Sequence, residues 1–291
     1  MDYLYMVVFL FYMFGHMCFL VGHHVQIIGV KFEVVGLIFG DFGTQSEDKV
    51  MLICTIGGFS EYILVPEARK YHSLYPVDAR ISDRLACLIE PFTVGCRAAR
   101  RGQPKKGEHA VVFGCGTIGI AAAVALQYFG VEKIMICDLS DFRLEIAKGL
   151  GFAVYNMTKN DFKEKAMKYF GSALSHKGET ANIDCFIDAA GAESILELFM
   201  EHGKIESRFV SVAVNKALRQ LDLLHVTYSQ KSIIGSGGYM PEDVEDVMKL
   251  MASGKWNLES IITHEFSLEQ IAEAIRTASD PTQALNVTIK F

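Results

Sequence analysis

The hexapeptide Gly114-Cys115-Gly116-Thr117-Ile118-Gly119 constrains this 291-residue chain more than any other feature. A G-x-G-x-x-G pattern arises by chance often enough that its weight rests on context. Here the apolar run Val111-Val112-Phe113 leads into it, and an apolar helical stretch leaves it and runs to about Phe129. The next apolar run ends in Asp138, nineteen residues after Gly119. Strand, turn, helix, strand and acid is the order of a dinucleotide-binding βαβ unit. The first Gly makes the tight turn, the second lets the backbone approach a pyrophosphate, and the third lets helix and strand pack closely. The start of the helix, with Thr117 and Ile118, offers free N–H groups and a partial positive charge to phosphate. Asp138 is placed to accept hydrogen bonds from adenosine ribose hydroxyls, which selects NAD over its 2′-phosphorylated form. The competing readings are a glycine-rich turn without a ligand and, for Asp138, an acid that caps a strand-end turn. Arg143, five residues beyond Asp138, falls on the following helix, where it either meets a phosphate or forms an ordinary solvated pair.

The rest of the chain supports the same unit. HAVVF, KIMICD, FAVYN, IDCFIDAAG, RFVSVAV and KSIIGSG read as strands, and IGIAAAVALQYFG, SDFRLEIAKGLG, DFKEKAMKYFGSAL and AESILELFM as helices. That alternation calls for a parallel sheet with helices on both faces. Residues 23–70 are short Val, Ile and Phe runs punctuated by Gly, the pattern of strands and tight turns. After Gly238, Pro241 opens the helix PEDVEDVMKLMASG, Ser267 and Gln270 form a capping box, and ALNVTIKF alternates as a terminal strand. The layout is a β-rich lobe, an inserted α/β domain, and a return to the first lobe.

Composition narrows the function. With 51% apolar and 21% charged residues the chain is a folded globular protein, and disorder, collagen-like repeats and coiled-coil rods are excluded. A net charge of −6 gives no basic surplus for a phosphate backbone, so nucleic acid is not an expected partner. The seven cysteines, at 18, 54, 87, 96, 115, 137 and 185, are never closer than nine residues. That spacing rules out a Cys-x-x-Cys zinc knuckle and points to reduced thiols in the cytoplasm. Tyr3 to Gly22 carries no charged residue unless His16 is protonated, and is long enough to cross a bilayer. Asp2 stands where a secretory signal would have Lys or Arg. A buried strand-rich segment is the preferred reading, so a membrane is not expected as a partner; the alternative is anchoring through residues 3–22.

Several further stretches carry a resemblance. They are Gly57-Gly58-Phe59-Ser60-Glu61-Tyr62, Ile89-Glu90-Pro91-Phe92-Thr93-Val94-Gly95, Ser236 in its glycine turn, and Ile262-Thr263-His264-Glu265-Phe266 followed by Leu268-Glu269. Over residues 57–291 the chain resembles the zinc-type medium-chain dehydrogenase/reductases of the alcohol dehydrogenase superfamily, in particular the sorbitol and threonine dehydrogenase branch. The resemblance implies the α/β class: a Rossmann, doubly wound parallel sheet inserted in a β-rich, GroES-like catalytic lobe that is truncated or divergent here. It divides the chain into residues 1–91 (the remnant catalytic lobe), 92–238 (the NAD-binding domain) and 239–291 (the return to the lobe). It implies an NAD-dependent oxidoreductase that moves hydride between a secondary alcohol, a polyol or hydroxy amino acid, and NAD. The expected assembly is a homodimer or homotetramer. In that family a zinc ion acts as Lewis acid on the substrate hydroxyl. Glu90 is the catalytic-site residue that carries over, as zinc ligand or near neighbour; otherwise it is a strand-end acid paired with a surface Lys. Ala190-Gly191 and Val212-Ala213-Val214 match the strand ends that line the nicotinamide, and read otherwise as buried strand.

The front of the chain departs from the pattern. The family carries about fifty more residues before its G-G-x-A-E-Y strand, and its Cys-rich structural-zinc lobe has no counterpart here. Gly22-His23 stands for a G-H-E motif with His24 in place of Glu, and Cys18 is only five residues before His23. His23 is thus a candidate zinc ligand, weighed against a histidine packed in an apolar segment. Asn286 fills a position near which the family often has Lys or Arg, which removes one phosphate contact. Zinc is left open, and with it two rivals: a dinucleotide-binding protein with little turnover, and a zinc-free NAD(P)H reductase.

Overall fold

The computed structural model describes residues 5–7, 74–159 and 161–290. The G-G-x-A-E-Y-like stretch, Cys18, His23 and His24 lie outside the described residues. In chain order the elements begin with β1 (Tyr5–Val7), β2 (Leu74–Pro76), α1 (Asp83–Ala86) and α2 (Ile89–Arg101). Then come β3 (His109–Phe113), α3 (Thr117–Tyr128), β4 (Lys133–Asp138), α4 (Asp141–Gly149), β5 (Ala153–Asn156) and α5 (Phe162–Phe170). A hairpin of β6 (Ser172–Ser175) and β7 (Gly178–Ala181) precedes β8 (Cys185–Asp188), α6 (Glu193–His202), β9 (Arg208–Ser211), α7 (Leu223–Ser229) and β10 (Ser232–Gly235). The chain ends with α8 (Pro241–Ala252), β11 (Ile262–Ser267), α9 (Ile271–Ala278) and β12 (Asn286–Lys290). Among the described residues no helix is long and apolar enough to cross a membrane.

Six strands form one parallel sheet in the order β10-β9-β8-β3-β4-β5. The chain winds outward from β3 in one direction and from β8 in the other, so the order reverses between them. Such a reversal opens a crevice at the carboxyl ends of the two strands. Ala110 to Phe113 are at most 1% exposed, as a strand covered on both faces requires. Val112 and Ile136 face a core shared with α2, α3 and α8, whereas Val111, Phe113 and Met135 face one shared with α5 and α6.

Helix α3 is buried on all sides, with Ile120 to Leu126 at most 1% exposed. Its alanines allow α2 to approach closely, and Gly95 completes the approach. A Cβ at Gly95 would lie 2.5 Å from Ala121 Cβ and 2.7 Å from the Ala122 backbone nitrogen. The glycine that ends the Ile89–Gly95 motif is therefore a packing requirement between two helices. Helix α2 is held in turn to α8, where Arg100 Nε lies 2.6 Å from the fully buried carboxylate of Asp243.

The structure differs from the sequence expectations in four places. Glu90 is not a strand-end acid: it sits in the first turn of α2. The helix expected to run from Asp161 to Leu174 stops at Phe170, because Gly171 takes φ +83° and turns the chain into the β6–β7 hairpin. Helix α7 was not expected, since its alternation of Leu, His, Val, Thr and Tyr carries no strong helical period. Nor was β11, which pairs in parallel with β12.

Candidate functional site: the glycine-rich loop and the Glu90 pocket

The chain leaves β3 through Gly114, whose φ of +101° and close approach to the Ala189–Ala190 backbone (3.0–3.1 Å from a built Cβ) require glycine. At Gly119 a Cβ would fall 1.8 Å from the Gly114 carbonyl oxygen, so no side chain fits between loop and helix. Gly116 is different. A Cβ there would meet only Arg143 Nη1, at 4.0 Å, so the space above it is open. Gly116 is also the N-cap of α3 and offers no side-chain acceptor to the helix, which leaves the first-turn N–H groups of Thr117, Ile118 and Gly119 facing that space. Sterically, Gly114 turns the chain, Gly116 leaves open space and Gly119 packs loop against helix.

Charged and polar side chains surround the opening. Asp138 Oδ2 accepts from the Cys115 N–H at 2.6 Å, while Oδ1 accepts from the N–H groups of Leu139 and Ser140 at 2.8 and 2.9 Å. The turn-acid role is thus real, and it fixes the carboxylate beside the loop with lone pairs to spare. Arg143 is no solvated pair. Its Nη2 donates to the Ala284 carbonyl at 3.4 Å, and its Nε is buried without a partner among the described residues. Asn286, the neutral residue at the family's basic position, accepts from the Thr117 hydroxyl at 2.6 Å and donates to the Ile261 carbonyl at 3.0 Å. The C-terminal segment therefore lies against the N-terminal end of α3.

Across the crevice, Asp188 ends β8. Its Oδ1 accepts from the Ala190 and Gly191 N–H groups at 3.0 and 2.7 Å, and its carbonyl accepts from Val212 and Ala213 at 3.1 and 3.0 Å. Burial pushes its pKa up, opposed by the two backbone donors and by Arg219. Asn215 Nδ2 donates to the Gly191 carbonyl at 2.6 Å. Ala190, Gly191 and Val212 are thus brought together at the strand ends, whereas the Val214 side chain is 76% exposed and shares none of that packing. Asp188, Asn215 and Asn286's link to Thr117 escaped the sequence reading. Only Asp188 left a signal there, as the acid that ends a buried apolar strand.

Glu90 occupies a second pocket. Its Oε2 and the Tyr239 hydroxyl are both buried without a hydrogen-bond partner among the described residues. Burial pushes the Glu90 pKa up to about 7, moderated by the Tyr239 hydroxyl facing it; burial and Glu90 push that of Tyr239 up. Among the described residues no three His, Cys, Asp or Glu side chains converge to hold a metal ion. One carboxylate beside a phenol is not the set of three protein ligands that a catalytic zinc needs, so the described residues do not by themselves fit that ion.

A family model described as zinc-binding dehydrogenase matches residues 117–253. The chain is 30% identical over 204 residues to (R,R)-butanediol dehydrogenase of Saccharomyces cerevisiae, covering 70% of this chain and 51% of that protein. It is 30% identical over 218 residues to L-galactonate-5-dehydrogenase of Escherichia coli, covering 75% and 60% respectively. Among solved structures, RspB, an E. coli alcohol dehydrogenase in complex with NADH, superposes with a TM-score of 0.71 at 25% identity over 83% of this chain and 68% of that one. L-idonate 5-dehydrogenase of E. coli superposes at 0.70 with 22% identity, over 82% and 65%. Over the region these matches cover, the chain belongs to the medium-chain dehydrogenase/reductase superfamily. It spans 51% and 60% of the length of the two curated relatives named here.

Proposed function

We propose that this protein is an NAD-dependent oxidoreductase that transfers hydride between a secondary alcohol, a polyol or hydroxy amino acid, and NAD. The observation that carries the reading is the open space at Gly116, beneath the uncapped start of α3 and flanked by Asp138 and Arg143. The N–H groups of Thr117, Ile118 and Gly119 would bind the pyrophosphate, with the Arg143 guanidinium as counter-charge. Asp138 would hold the adenosine ribose. Ala190, Gly191, Val212 and Val214, at the ends of β8 and β9, would line the nicotinamide, oriented by Asp188 and Asn215. Bound NAD supplies the hydride acceptor. Glu90 is assigned to the alcohol side as the catalytic-site carboxylate. The named relatives act on butanediol and L-galactonate, compounds with secondary hydroxyls, which supports that substrate class.

We also propose a homo-oligomer formed beside edge strand β10, where Leu218, Leu223, Leu224 and Tyr228 are 64–98% exposed. The five described cysteines are free and buried, which supports a cytoplasmic setting.

The test is NADH titration of the full chain and of Gly116→Val. A valine there fills the phosphate space and touches little else, so affinity should fall by about a hundredfold or more with the melting temperature nearly unchanged. A folded Gly116→Val protein that binds NADH as the parent does would refute the cofactor assignment. NAD reduction over a panel of 2,3-butanediol, sorbitol and threonine then reads the substrate class.

A further inference from the structure

We infer that the groove between edge strand β5 and helix α5 is a second ligand site, one that takes a small amphiphilic anion: an apolar or aromatic body bearing one carboxylate or phosphate. This site is independent of the dinucleotide reading, and none of its lining residues belongs to the glycine-rich loop.

Among the described residues strand β5 is the outer strand of the six-stranded sheet and pairs only with β4, from Met135↔Ala153 to Asp138↔Asn156. Helix α5 packs on the face of the sheet that carries Met135 and Tyr155, and residues of β5 and α5 together line a cavity of about 480 Å³. That falls within the roughly 300–1,000 Å³ typical of small-molecule sites. Its floor and wall are apolar or aromatic, formed by Met135, Val154 and Tyr169 among others, and its cationic lining comes from Lys159, Lys165 and Lys168. The polar groups of the floor are already used: the single Tyr155 O–H has the Asp161 carboxylate at 2.8 Å and the Lys159 carbonyl at 2.9 Å as its acceptors, and its oxygen accepts from the Asp161 N–H at 3.2 Å. The Asn156 amide donates to Asp141 at 2.7 Å. The floor therefore offers contact area rather than new hydrogen bonds.

Three lysines and no carboxylate are among the residues lining this cavity; Asp161, outside the lining, lies 3.5 Å from Lys165 Nζ and also accepts from the Tyr155 hydroxyl. Lys159 and Lys168 have no carboxylate partner among the described residues. This local surplus stands on a chain of net charge −6, so it is not a sample of the general surface. Lysines often guard a sheet edge against pairing with another chain, but they do so from the edge strand itself. Here Lys165 and Lys168 come from α5, and Lys159 comes from the turn before it. An apolar floor under unpaired ammonium groups is complementary to a molecule with an apolar body and an anionic head, and charge-assisted contacts at the head supply the selectivity.

The experiment is calorimetric titration of the full chain with octanoate, octyl phosphate and the neutral octanamide. Both anions should bind, and octanamide should bind about tenfold or more weakly than either. The tighter of the two anions identifies the head group. The double variant Lys159→Glu/Lys168→Glu should weaken both anions by about tenfold or more while NADH affinity stays at the parent value. Lys163→Glu changes the charge of the same helix outside the cavity, and should alter anion affinity by less than about twofold. Equal binding of octanamide, unchanged anion affinity in the double variant, or no binding of any of the three would overturn the site.

Discussion

Asp188 is a buried carboxylate and Glu90 a half-buried one with a buried Oε2, and the two regions around them treat a carboxylate in opposite ways. Asp188 stands at the crevice of the sheet, where two backbone N–H groups converge on one of its oxygens. Glu90 stands at the start of α2, where Oε2 meets no donor among the described residues. Burial raises the pKa of both, yet only at Asp188 do backbone donors oppose the rise. A buried carboxylate with donors is a fixed structural charge. One without them holds its proton into the neutral range. The crevice of the parallel sheet thus supplies its own partners from the residues described, whereas Glu90 Oε2 and the Tyr239 hydroxyl are left unmatched by them.

The largest test of that contrast is Asp188→Ala. Removing the carboxylate strands the Ala190 and Gly191 N–H groups beside the Gly114 turn. Two hydrogen bonds to a charged group, at roughly 1.5 kcal/mol each, put the loss of stability near 3 kcal/mol. Denaturant unfolding measures it, and NADH affinity should fall in the same variant because the turn beside the loop loosens. A loss under about 0.5 kcal/mol would mean that the two contacts do not hold the crevice.

Glu90→Gln should behave in the opposite sense and depend on pH. The pKa of Glu90 is raised from 4.5 to about 7 by folding, so between those values the folded chain binds more protons than the unfolded one. The parent then loses stability as pH rises through that window, and the glutamine variant does not. Relative to the parent, Glu90→Gln should gain up to about 3 kcal/mol between pH 4.5 and pH 8. A parent–variant difference that stays flat across that range would show that Glu90 finds a donor or a cation in the folded protein.

The same contrast explains what sequence reasoning reached. The glycine loop was readable because each of its residues answers a local steric need: Gly119 collides with its own loop at 1.8 Å if given a Cβ, and Gly116 meets nothing closer than 4.0 Å. The strands were readable because burial on both faces leaves uninterrupted Val, Ile and Phe runs. Partners far apart in the chain were not. Thr117 and Asn286 are 169 residues apart, and neither type announces the other. Arg143 looked like a surface helix residue until the C-terminal segment was seen to place Ala284 beside it. For Glu90 the sequence offered a strand-end acid as the alternative to a catalytic-site residue, and the structure places it on a helix instead. In the folded chain Pro91 falls within the first turn of α2, where the missing N–H costs nothing. The Gly95 requirement likewise needed the opposite helix to be seen.

The smallest expected effect concerns cofactor choice at Asp138. The three backbone donors already on this carboxylate fix it in place beside the loop, so a ribose 2′-phosphate would approach a positioned carboxylate. Repulsion at ribose distance is worth about 1 kcal/mol or somewhat more, or roughly tenfold in favour of NADH over NADPH. Arg143 acts against this, because its guanidinium lies beside Gly116 and would attract phosphate of either kind. Asp138→Ser keeps an acceptor for the loop but removes the charge, so NADPH affinity should rise toward that of NADH. Its own cost is bounded, because a hydroxyl can replace one of the three backbone contacts and water the others. Titrating the parent and the variant with both cofactors separates the two charges. If the parent binds NADPH as tightly as NADH, Arg143 outweighs Asp138, and the loop selects for phosphate count and not for a free ribose.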